Sequence, residues 1–128
     1  MHGSWWRILV RAALCLAPVL GSASETESEE LVKALLRPTG WSAEWIGPGG
    51  SGLTEVTFER RGDNLIAKIK LLSPFELSCE NPVTVERNAL TFDGCRDPSV
   101  TLVYDPSDSA YPLKGRSPRG YVWKVKAK

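Results

Sequence analysis

Cys79 and Cys95 flank the stretch 80–94, and their residue type allows three chemistries: a disulfide, part of a metal site, or a redox pair. The chain carries a single histidine, His2, so a zinc site here would lack imidazole ligands, and the spacing is not that of a zinc finger. Nor is it the C-x-x-C of a thiol oxidoreductase. A structural disulfide is the expectation, worth about 3 kcal/mol in the chain-entropy model for a loop of this size.

Carboxylates are the other reactive groups. Glu44, Glu55, Glu59, Glu76, Glu80, Glu86, Asp93 and Asp97 could supply the paired acid and base of a glycoside hydrolase. Those that fall on strands mostly alternate outward onto solvated faces, whereas an acid/base carboxylate needs burial or a close like charge. Asp105 and Asp108, in "YDPSD", lack the spacing and closing glutamate of a calcium loop. The glycine-rich "GPGGSG" lacks the lysine and hydroxyl of a phosphate-binding loop, and reads as a strand connection. Without a usable histidine there is no Ser–His nucleophile, and the commonest metal ligand and proton shuttle are missing. The expectation is a noncatalytic protein with no cofactor and no metal.

The compartment is read from the first residues. In "MHGSWWRILVRAALCLAPVLGSAS", Arg7 and Arg11 precede the apolar run Ala12 to Leu20, which ends in small residues: the order of a secretory signal peptide over residues 1–24. The run is too short for a bilayer span. Cys15 follows Leu14 rather than a small residue, so a soluble product is expected rather than a lipid-anchored one. Cleavage would remove His2, Cys15, Trp5 and Trp6, and leave fourteen basic side chains against fifteen acidic ones. No basic excess points to nucleic acid. An oxidising space, periplasmic or extracellular, is where an even pair of cysteines becomes a disulfide.

Residues 25–128 are about the size of one domain, with a small core. From Glu25 to Arg37, Leu31, Val32, Leu35 and Leu36 recur at helical spacing and Pro38 stops the run. Thereafter the period is two. Trp41, Ala43 and Trp45 share a face; so do Val56 and Phe58; Leu65, Ala67, Ile69 and Leu71; Val100, Leu102 and Tyr104; and Tyr121, Trp123 and Val125. Gly62-Asp63-Asn64 and Arg87-Asn88 are hairpin turns, and Gly94 to Pro98 a longer one. The fold class expected is all-β: an antiparallel meander of about seven to eight strands after one short N-terminal helix, forming a small barrel or sandwich. "AYPLKG", residues 110–115, is the candidate eighth strand. Closure would set the first strand beside the last and bring Trp41, Trp45, Tyr121 and Trp123 together at the seam.

The hairpin between the cysteines allows a finer expectation. With Val83 and Val85 on the face of Leu90 and Phe92, residue 85 pairs with 90, and an unbroken register would set Cys79 opposite Arg96. One extra residue on the first strand, at Asn81-Pro82, restores Cys79 to Cys95, and proline is tolerated at such an irregularity.

An early strand with tryptophan, "GWSAEW", short hairpins and a final aromatic strand, "GYVWKV", resemble a small calycin-type protein. The resemblance implies a small closed barrel, and a noncatalytic binding module is the expected role. A small apolar or aromatic ligand would sit among Trp41, Trp45, Tyr104, Tyr121 and Trp123. A second surface is expected on the 105–120 connection, where Tyr111, Lys114, Arg116 and Arg119 could dock an acidic protein partner. From Tyr111 to Lys128 there are six basic residues and no acid. "SPRGY", residues 117–121, is similar to the Ser-Gly-Tyr loop of periplasmic lysozyme inhibitors, with the tyrosine closer to the glycine than in that family. That resemblance implies the alternative of a periplasmic enzyme inhibitor; a structural envelope protein is a further alternative.

Overall fold

The computed structural model describes residues 26–128; the leader expected over residues 1–24 lies outside the described residues. A short helix, α1 (26–35), precedes eight strands: β1 (Trp41–Gly47), β2 (Gly50–Arg61), β3 (Asn64–Ser73), β4 (Leu77–Glu86), β5 (Ala89–Phe92), β6 (Val100–Tyr104), β7 (Leu113–Arg116) and β8 (Val122–Ala127). Each pairs antiparallel with the next, and β8 returns to β1, closing a barrel. Closure leaves no free sheet edge, the general problem of a meander with one apolar face. Barrel rather than sandwich is thereby settled.

The period-two pattern sets what lies inside. Trp41 and Ala43, Val56 and Phe58, Ala67 and Ile69, Leu90 and Phe92, Val100 and Leu102, and Trp123 and Val125 are buried. Phe58, Phe92 and Trp123 form an edge-to-face chain across the interior, with centroids 6.1 Å apart at both steps. Outward positions such as Thr57, Lys68 and Lys70 are exposed, so the barrel is apolar within and charged without, the reverse of a membrane barrel. Among the described residues, no helix is long and apolar enough to cross a membrane.

The two ends differ. The β2–β3, β4–β5 and β6–β7 turns lie at one, and α1 seals it: Leu31 and Leu35, one turn apart, are fully buried against the core. Trp41 Nε1 donates to the Leu35 carbonyl (3.3 Å), satisfying a helix-end acceptor, and Ser28 Oγ donates to the Arg87 carbonyl (3.2 Å). The helix thus spans most of the stretch expected. At the other end lie the β1–β2, β3–β4, β5–β6 and β7–β8 connections, and among the described residues no helix lies over them.

The additional strand expected in "AYPLKG" is realised only in its second half, as β7, because Leu113–Arg116 is the segment that pairs with β6 and β8. The 105–120 segment is therefore not one loop. It is a turn over 105–112, a strand, and a second turn over 117–121 at the opposite end. "GPGGSG" is also more strand than connection: Gly47 pairs with Gly50, leaving only Pro48 and Gly49 in the turn.

Candidate functional site

The open end of the barrel holds a cavity of about 290 Å³. Its walls come from all four connections of that end and the strand ends beneath them. Trp45, two residues before the end of β1, faces inward and is paired across the seam with Trp123 of β8. Tyr121, just before β8, meets the Trp45 ring edge-on, centroids 5.6 Å apart. Two glycines make room: a side chain on Gly47 would collide with the Tyr121 ring, and one on Gly52 with the Trp45 ring and the Ser73 carbonyl. Trp45 Nε1 donates to Thr54 Oγ1 (3.0 Å), which fixes the indole while burying the hydroxyl of Thr54.

The β5–β6 connection contributes the cavity's polar side. The β4–β5 ladder runs only from Glu86↔Ala89 to Thr84↔Thr91. Beyond it, four residues of β4 lie between Thr84 and Cys79 but three residues between Thr91 and Cys95, the one-residue excess expected at Asn81-Pro82. The β3–β4 ladder runs on through Pro82, so the irregularity is confined to the β5 side. There Asn81 Nδ2 donates to the Asp93 carbonyl (2.7 Å) in place of a ladder bond, and the Cys79–Cys95 disulfide closes the wall. Asp93 Oδ1 accepts from the Ser99 amide (2.8 Å) and Gly94 N–H donates to the Asp97 carbonyl (2.8 Å), so the loop is tied at both ends.

That loop places Cys95, Arg96 and Asp97 in the cavity wall. Asp97 Oδ2 accepts from Trp123 Nε1 (2.8 Å); Oδ1 is buried and has no hydrogen-bond partner among the described residues. Asp97 is thus not one of the outward, solvated carboxylates expected from sequence. Arg96 lies over the Phe75 ring (4.8 Å to the centroid), and Arg119 over Tyr121 (6.0 Å) while donating from Nη1 to the Arg96 carbonyl (2.7 Å).

Of the five aromatic residues expected to line a ligand, Trp45, Tyr121 and Trp123 line this cavity together. Trp41 and Tyr104 face the same interior but at the sealed end, beside α1, where Arg37 lies over the Trp41 ring (5.4 Å). Trp41 therefore does not join the seam cluster: it lies four positions along the strand from Trp45, about 13 Å. The four residues expected to bind a partner are likewise divided. Lys114 ion-pairs with Asp108, which lowers the Asp108 pKa and raises that of Lys114; the Tyr111 amide N–H adds to the first effect. Tyr111 Oη donates to Glu44 (3.3 Å) beneath the Lys124 ammonium (5.7 Å). Arg116 and Arg119 lie at the other end of β7, and only Arg119 belongs to the cavity.

Sequence reasoning did not assign Thr54, Phe75, Arg96 and Asp97 to the site. The available signal was Cys95 itself, since a disulfide that anchors a loop holds its neighbours in place. No family model, no curated protein and no solved structure matches this chain.

Proposed function

We propose that this chain is a noncatalytic, exported binding protein that holds a small, largely apolar molecule in the open end of its barrel. The observation that carries the reading is the cavity walled by Trp45, Tyr121 and Trp123 at the end that α1 leaves uncovered. Eight-stranded barrels are either filled by their own side chains or hold one small ligand, and this one does the first at the sealed end and in the middle. Pockets of this size with mostly apolar walls and a few polar groups are typical of small-molecule sites. The architecture accords with the calycin resemblance, and the disulfide accords with an oxidising compartment. Docking of a protein partner through a single 105–120 loop has less support, because its four residues fall at two ends of the molecule.

Titration with N-phenyl-1-naphthylamine, whose fluorescence rises in apolar surroundings, tests the reading. Saturable uptake of one molecule per chain is expected, lost in Leu71→Trp, which fills the cavity from β3. Circular dichroism establishes that the variant is folded. Absence of saturable uptake, or uptake unchanged by the filled cavity, would refute it.

A further inference from the structure

Resting on the cavity reading above, the geometry points to the chemical class of the occupant: a flat aromatic anion, seated with its rings inward and its charged group at the rim between Arg96 and Arg119. Three charged side chains line the cavity: Arg96, Arg119 and Asp97. Their depths differ. Both arginines are exposed, whereas Asp97 is half-buried, with one oxygen held by the Trp123 indole and the other out of reach of water.

Neither arginine has an acidic partner among the described residues. The ion pairs formed there by basic side chains involve Arg61, Lys68, Lys114 and Lys128. Arg119 spends one donor on the Arg96 carbonyl, which sets the two residues side by side, and each guanidinium lies over a ring of the same rim, Phe75 or Tyr121. A guanidinium held against a ring keeps in-plane N–H groups free in the fork that matches carboxylate, phosphate or sulfonate oxygens. The rim thus presents oriented cationic donors without an anion, above a cavity walled by Trp45, Tyr121 and Trp123.

Orientation follows from charge. The Asp97 carboxylate at the inner wall repels an anion there, and the guanidiniums attract one at the rim, so an occupant bearing a single negative group is placed head-outward. The aromatic walls select its body, since edge-to-face and offset contacts with flat rings add to the gain from burial.

A matched pair of probes tests this on the intact protein: 1-anilinonaphthalene-8-sulfonate, and N-phenyl-1-naphthylamine, which has the same rings without the sulfonate. In Arg96→Gln with Arg119→Gln, affinity for the sulfonate is expected to fall about tenfold or more, and affinity for the neutral probe to stay within about twofold. With the native protein, added salt should weaken the sulfonate and not the neutral probe. Sulfonate affinity unchanged by the double substitution, or an equal fall for both probes, would overturn the inference while leaving the cavity reading intact. If neither probe binds the native protein, both readings fail. Displacement of the sulfonate by 1-naphthoate or by 1-naphthyl phosphate identifies a carboxylate or a phosphate head, and failure of both to displace it also overturns the inference.

Discussion

Replacing both cysteines, Cys79→Ser with Cys95→Ser, should cost about 3 kcal/mol, most of it through the unfolded chain. The bond joins residues sixteen apart, and in the chain-entropy model opening a loop of that size releases about 3 kcal/mol of conformational freedom on unfolding. The folded state is weakened at the same place. Three residue pairs join β4 to β5, and past them the disulfide and the Asn81–Asp93 bond are what hold the wall. Both cysteines are half-buried against the core, so two serine hydroxyls would also be set in partly apolar surroundings. Urea unfolding followed by tryptophan fluorescence reads the loss: at a slope of about 1.5 kcal/mol/M the midpoint should fall by about 2 M. The thermal midpoint should drop by about 12–24 °C. The slope itself should rise, because the released chain exposes more surface, and the comparison is therefore made on extrapolated free energies. A loss below about 1 kcal/mol would overturn this, since it would mean that the short ladder and the loop's own hydrogen bonds hold the 93–99 loop without the disulfide.

Leu35→Ala should cost about 2–5 kcal/mol, because Leu35 is fully buried where α1 seals the barrel; a loss under about 1 kcal/mol in the same urea assay would mean that the helix does not seal it. Thr54→Val removes the acceptor of the Trp45 indole and should cost about 1 kcal/mol while moving the Trp45 Nε1–H resonance; an unmoved resonance contradicts the bond. Asp108 should titrate below ordinary aspartates, because Lys114 and then the Tyr111 amide hold its charged form. A depressed folded value stabilises above the unfolded pKa of about 3.9, and the contribution is lost as pH falls through the folded value. For Lys114, whose pKa is raised, the contribution is present below about 10.4 and lost as pH rises through the folded value. Carboxyl carbon NMR of Lys114→Met should show Asp108 moved back up toward the usual range; an unmoved titration would exclude Lys114 as the cause.

Alternation made most of the strands legible before the structure, and a count of residues between Cys79 and Cys95 showed that β4 carries one more residue than β5 before the disulfide. β7 was hard to see for a physical reason. It presents two residues inward, and only Leu113 is apolar; the other is Gly115, where any side chain would strike the backbone of Thr101 and Leu102. Prolines on both sides, Pro112 and Pro118, gave the segment the look of a loop. Period two states that Trp41 and Trp45 share a face, but not that one lies beneath a helix and the other at an open end. That distinction depends on where α1 docks, which is a matter of tertiary packing. The cavity was least legible, because its walls come from four connections spread across the chain, and only the closed register brings Phe75, Arg96 and Tyr121 to one rim.

Which end of the barrel takes a ligand can be read from the indole N–H resonances of Trp41, Trp45 and Trp123 in a nitrogen–proton correlation spectrum. The three indoles donate to different acceptors, the Leu35 carbonyl, Thr54 Oγ1 and Asp97 Oδ2, and so report on different places in the barrel. On titration with N-phenyl-1-naphthylamine, the Trp45 and Trp123 resonances should move together along one saturable curve while Trp41 stays in place. Movement of Trp41 alone, or of none of the three at saturating probe, would contradict the account.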